Sequence, residues 1–168
     1  MKHLALKLIL LIGLALGYEV KGQKPILTSQ ELQQLTPPYI NGFQRGQEPK
    51  GKLIQIGNLQ YSMCEQNFTN GKQRIKVLLF DFNDAGIMYK QATNKWKNFL
   101  PILTDSVTLQ PVTMNNCSGW QSYKTSSNTS EIYLGVCDRF FLILIGESVE
   151  LEIISKYLDE FRFDLFPK

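Results

Sequence analysis

The sequence predicts an α+β fold: a mostly antiparallel sheet of about six or seven strands covered by two main helices, in an α/β/α sandwich-like arrangement. Three observations carry this prediction. Residues 140–145 read Phe-Phe-Leu-Ile-Leu-Ile, apolar without alternation, and stop at Gly146. Such a run is either a strand covered on both faces or a buried helix segment, and its length and its aromatic and β-branched content favour the strand. Residues 73–82 repeat the pattern, with Ile75, Val77 and Leu79 on one face and Leu78, Phe80 and Phe82 on the other. The two runs therefore belong together in the middle of the sheet. Two stripes at helical spacing supply the cover: Tyr89, Ala92, Trp96, Phe99 and Leu100, and then Leu151, Ile154, Leu158 and Phe161.

The chain divides into a signal segment (1–22), a lead-in with a short helix (23–50) and a single α+β domain (51–168). Lys2, His3 and Lys7 form a positive start, and residues 8–17 form an apolar stretch too short to span a bilayer. Cleavage after Gly22 competes with cleavage after Gly17. No cysteine stands at the junction to carry a lipid, and no later run approaches the length of a membrane span, so the expected product is exported and has no transmembrane segment. Removal of residues 1–22 takes three lysines and one glutamate with it, lowering the formal charge from +3 to +1. No clustered basic patch remains, which argues against nucleic acid as a partner. The single histidine, His3, leaves as well. A chain without histidine has no Ser-His-Asp or Cys-His system and no histidine-ligated metal, and this points away from an enzyme.

The elements follow in order. Thr28 and Glu31 fit a capping box, Leu27 and Leu32 sit at the positions of a hydrophobic staple, and Pro37-Pro38 must end that helix. Residues 42–52 read as a polar loop. Strands are expected at 53–56, 59–68 and 73–82, with Asn70-Gly71 as the hairpin turn between the last two. The first aromatic stripe follows as a helix capped by Asn83 or Asp84, with Pro101 just beyond its end. Further strands are expected at 107–114, 118–125 and 129–137. Asp138-Arg139 bends the chain into the 140–145 strand. Ser148 caps the last helix, and residues 161–166 add an edge strand or pack along that helix.

Four features could carry chemistry. If strands 118–125 and 129–137 pair about Ser127, opposed residue numbers sum to 254 and Cys117 faces Cys137, close enough for a disulfide. The alternative is that Cys64, Cys117 and Cys137 are free buried thiols. Asp81, Asn83 and Gly86 match part of a calcium loop, but Ala85 and Ala92 stand where ligands are needed, and a strand-to-helix turn explains the same residues. No cofactor is implied. Asp138 and Arg139 form either a solvated turn or a rim contact for a partner. Three Asn-x-Ser/Thr triplets begin at Asn67, Asn116 and Asn128, two of them at turns or strand ends where asparagine is favoured anyway. Asp81, Asn83, Asp84, Asp138 and Arg139 are thus the candidate ligand or partner residues, and no catalytic residue is assigned.

The stretch Val136-Cys137-Asp138-Arg139-Phe140 running to Gly146, the helix after it, Asp164-Leu165, and Gly119-Trp120-Gln121-Ser122-Tyr123 together resemble the C-terminal half of small exported bacterial proteins of unknown function. Their plan is similar to the PsbP/Mog1-like α/β/α sandwich. The resemblance implies a fold and a periplasmic or extracellular location, not a reaction. The functional expectation is an exported, non-catalytic domain that binds a protein partner or an envelope ligand. Against it stand a carboxylate-based hydrolase acting on glycans, built from Asp81, Asp84 and Asp138, and a calcium- or small-ligand-binding domain.

Overall fold

A computed structural model describes residues 25–168 apart from 48, 115 and 116. The expected signal segment, residues 1–22, and the triplet at Asn116 lie outside or at the edge of the described residues. The fold is built on one antiparallel sheet of nine strands: β1 (Gln44–Arg45), β2 (Lys50–Ile56), β3 (Leu59–Asn70), β4 (Gln73–Asp84), β5 (Ile102–Leu103), β6 (Val107–Met114), β7 (Cys117–Lys124), β8 (Thr129–Val136) and β9 (Phe140–Glu147). Their order is β1-β3-β4-β9-β8-β7-β6-β5, with β2 also paired to β3. Three short helices accompany it: α1 (Ser29–Gln34), α2 (Gly86–Asn94) and α3 (Leu151–Asp159).

This corrects the expected fold class. Two main helices over six or seven strands give way to a sheet-dominated fold in which, among the described residues, no helix exceeds nine residues. Two causes are visible. The supposed loop 42–52 is drawn into the sheet as β1 and the start of β2, and Ile102-Leu103 adds another strand at the far edge. The aromatic helix also stops early, because the Thr93 hydroxyl bonds back to the carbonyls of Tyr89 and Lys90. That competing bond weakens the helical ladder, and the chain tightens into a 3₁₀ turn at Lys95–Asn98.

The two apolar runs do lie side by side in the middle. β4 pairs with β9 from Arg74↔Glu147 to Asp81↔Phe140. Alternate residues of these strands and of β8 face one dry layer: Ile75, Val77, Leu79, Ile132, Leu134, Phe140, Leu142 and Leu144 are essentially inaccessible to water. Leu32 of α1, Ile154, Tyr157 and Leu158 of α3, and Phe161 and Phe166 of the tail close this layer. The capping box of α1 forms as expected, with the Thr28 backbone N–H donating to Glu31 Oε2 at 2.7 Å and the Glu31 N–H to Thr28 Oγ1 at 3.2 Å. α3 is capped by Glu150 instead of Ser148, whose φ of 57° lies in the left-handed region. The tail adds no strand. It forms a short 3₁₀ turn and lays Phe166 edge-on against Phe140.

Among the described residues, the opposite face is covered by α2 and its 3₁₀ extension alone. Gly135 lets the helix come down onto β8, because a Cβ there would meet the Tyr89 hydroxyl at 2.5 Å and crowd Trp96. The N-terminal turn of α2 begins at Ala85, with no side-chain cap from Asn83 or Asp84, since β4 runs on through Asp84. The β3–β4 hairpin turns on Gly71-Lys72, one residue later than expected, and closes at Asn70↔Gln73 with Gly71 at φ 59°.

Candidate ligand pocket

The residues singled out from sequence separate into two groups. Asp81 and Arg139, 58 positions apart, form a buried bidentate ion pair. Arg139 Nε donates to Asp81 Oδ1 at 2.7 Å and Nη2 donates to Oδ2 at 2.6 Å. Asp81 Oδ1 also accepts the Asn83 N–H at 3.0 Å, and Oδ2 accepts the Leu27 N–H at 2.8 Å. Arg139 reaches further to the Pro25 carbonyl at 2.9 Å and lies over the Phe140 ring. The solvated turn read at Asp138-Arg139 is therefore corrected for Arg139, which points inward. Asp138 alone stays exposed, at φ 52°.

Every oxygen of Asp81 is engaged, so this carboxylate is a structural anchor that ties the segment before α1 to the end of β4. Ser62 completes the clamp by donating to the Leu27 carbonyl at 2.5 Å. Asn83 donates to Asp84 Oδ1 at 2.8 Å across the same turn. Among the described residues, no group of three His, Cys, Asp or Glu is placed to hold a metal ion. No helix among them is long and apolar enough to cross a membrane.

The expected disulfide is not formed. Cys64, Cys117 and Cys137 are all free thiols. The β7–β8 turn holds four residues, a 3₁₀ turn at Thr125–Ser127 plus Asn128 in the left-handed region, so Lys124 faces Thr129. Opposed numbers then sum to one less than expected. Cys117 meets Val136, and Cys137 passes into the turn at φ 53°. Burial pushes the Cys64 thiol up to about 12. It also raises Cys117, to about 11, with the neighbouring Cys137 adding to the effect.

What the sequence reading missed lies on the less-covered face. Odd-numbered residues of β8, even-numbered residues of β7 and odd-numbered residues of β6 share that face, because the ladder sets Glu131 opposite Ser122, Tyr133 opposite Trp120 and Leu109 opposite Ser122. α2 and its extension hang Trp96 and Phe99 above them. A cavity of about 500 Å³ is left between roof and sheet, within the size range of small-molecule sites. Trp96 packs on Phe141 at 5.7 Å, Phe141 on Tyr133 at 6.4 Å, and Phe99 edge-on to Trp120 at 5.4 Å.

The pocket contains one carboxylate. Glu131 Oε2 accepts the Ser122 hydroxyl at 3.3 Å and the Tyr133 hydroxyl at 3.2 Å. Burial, and then the Glu131 charge, push the Tyr133 hydroxyl up to about 12, so it remains a donor near neutral pH. Lys95 and Lys124 are exposed at the mouth. From its spacing the stripe Tyr89, Ala92, Trp96, Phe99 and Leu100 reads as sheet cover. Its first half is that, but Trp96 and Phe99 roof a space. The signal that points to this is the placing of Ser122, Glu131 and Tyr133 on the same side as the tryptophans, where an ordinary core would be wholly apolar.

No family model matches the chain, and no curated protein and no solved structure matches it.

Proposed function

We propose that this protein is an exported, non-catalytic domain that binds a small envelope ligand in the pocket between α2 and β6–β9. The observation that carries this reading is the cavity itself: about 500 Å³, walled by aromatic and aliphatic side chains, with a single carboxylate oriented by two hydroxyls. Sites of this kind bury an apolar body and use a few polar groups to orient it. Leu100 and Leu103, next in sequence to the lining residues Phe99 and Ile102, are exposed. The positive start and short apolar stretch expected as a signal segment at residues 1–22 support the exported location.

The hydrolase reading is less well supported. Glycosidase chemistry needs two acids facing a common cleft, and Asp81 spends all its acceptor capacity on Arg139 and two backbone N–H groups. The calcium reading loses the same ligand.

The test is a titration with the neutral fluorescent probe N-phenyl-1-naphthylamine, read by its own emission and by quenching of Trp96 and Trp120. Saturable one-site binding is expected, weakened about 5- to 10-fold by Trp96→Ala, which removes roughly 1–1.4 kcal/mol of ring contact. Trp96 lies on the half-exposed 3₁₀ turn, so this variant should fold. Absence of saturable binding, or equal binding by Trp96→Ala, would sink the proposal.

A further inference from the structure

The chemical class of the ligand follows from what Glu131 lacks, and it rests on the pocket reading above. Oε2 accepts two hydroxyl donors, whereas Oε1 accepts no hydrogen bond and joins no ion pair among the described residues. Glu131 is half-buried, and an occupant that fills the cavity takes its carboxylate further out of water, which is costly without a partner. A neutral apolar occupant leaves the cost standing. An occupant carrying a positive charge removes it. The walls act in the same direction, since the faces of tryptophan, tyrosine and phenylalanine attract cations, and Trp96, Trp120, Tyr133 and Phe141 all line the space.

Lys95 and Lys124 pull the other way. Both side chains are exposed at the mouth, where water and salt screen their charge. An anionic amphiphile would set its head on these lysines and lay its body over Glu131, burying the carboxylate unpaired. The interior group therefore decides the class over the rim groups. We propose that the pocket recognises an organic ammonium ion, a small apolar body carrying a protonated or quaternary amine, with Glu131 as its counter-ion and Ser122 and Tyr133 as the residues that position that counter-ion.

Three probes of similar shape separate the possibilities: phenyltrimethylammonium, its neutral isostere tert-butylbenzene, and benzenesulfonate. Calorimetry or tryptophan quenching on the full chain should show the cation binding about 10-fold or more tighter than the neutral isostere, as expected for a desolvated cation among rings and a carboxylate. Glu131→Gln should cut that difference several-fold, leaving only the share due to the rings, while leaving or improving binding of tert-butylbenzene, which also shows that the variant is folded. Lys124→Gln should leave the cation's affinity unchanged or raise it. Equal or tighter binding of tert-butylbenzene overturns the ammonium assignment and leaves the pocket reading intact. Tightest binding of benzenesulfonate, lost in Lys124→Gln, overturns it in favour of an anionic amphiphile. If none of the three binds while N-phenyl-1-naphthylamine does, the ammonium assignment falls and the pocket reading stands.

Discussion

The two faces of the sheet are built from the same strands and treat charge in opposite ways. On the face closed by α1, α3 and the tail, the buried acid Asp81 meets an arginine and two backbone donors, and nothing is left for a ligand. On the face under α2, Glu131 meets two hydroxyls through one oxygen only. The first face is closed, its aliphatic strand residues sealed by Phe68, Phe140, Tyr157, Phe161 and Phe166. The second is aromatic, half-covered and hollow at one end. The difference teaches where to look: a saturated charge holds a fold together, and an unsaturated one beside a cavity is available for recognition.

The sharpest way to break this contrast is to remove one half of the saturated pair. Arg139→Ala leaves Asp81 buried without its counter-charge and frees the segment at Pro25, and should cost about 3–5 kcal/mol in chemical denaturation. A loss below about 1 kcal/mol would match an exposed pair instead and contradict the clamp. The next largest effect compares neighbours on one strand. Leu142 is fully buried in the closed layer, whereas Ile143 points to the other face and is only half-buried. Leu142→Ala should cost about 2–5 kcal/mol, and Ile143→Ala about 1 kcal/mol. Equal costs would mean that both faces are packed alike.

A smaller effect comes from pH. Burial holds Cys64 at about 12 and, with help from Cys137, Cys117 at about 11, both above the value of roughly 8.5 for a thiol in an unfolded chain. Below that unfolded value both states keep the proton, so the stability these thiols contribute is fully present. As the pH rises from about 9 towards 11 and 12 the unfolded chain ionises first, and that contribution is lost. Denaturant midpoints should be flat between pH 7 and 8 and fall progressively above pH 9. A midpoint constant to pH 11 would show that the two thiols are not shielded as described.

Parts of this were legible in the sequence because they depend on local or periodic signals. The unalternating runs of β4 and β9 marked the middle strands, and the Thr28–Glu31 capping box marked α1. Other parts depend on long-range partners. β1, the start of β2 and β5 lie at the edges and are exposed throughout, so no apolar pattern announces them, whereas the rest of β2 was legible as the strand at 53–56. The Cys117–Cys137 pairing failed on one left-handed residue, Asn128, which lengthened a turn. Arg139 looked like a surface residue because its counter-charge comes from another strand. The pocket was hidden for a similar reason. Trp96 and Phe99 follow a helical stripe, and only the early end of α2 and the register of β7 on β8 show that they stand over a cavity with Glu131 in its wall.

The most direct test of the whole account is a two-dimensional NMR titration of the isotope-labelled protein with phenyltrimethylammonium. The account predicts saturable shifts concentrated on the Trp96 and Trp120 indole N–H signals and on the amides of residues 120–122, 131–133 and 141, with the Ile75, Leu142 and Leu144 amides unmoved. Shifts spread over the whole molecule, or centred on residues 25–35 and the α3 face, would contradict it.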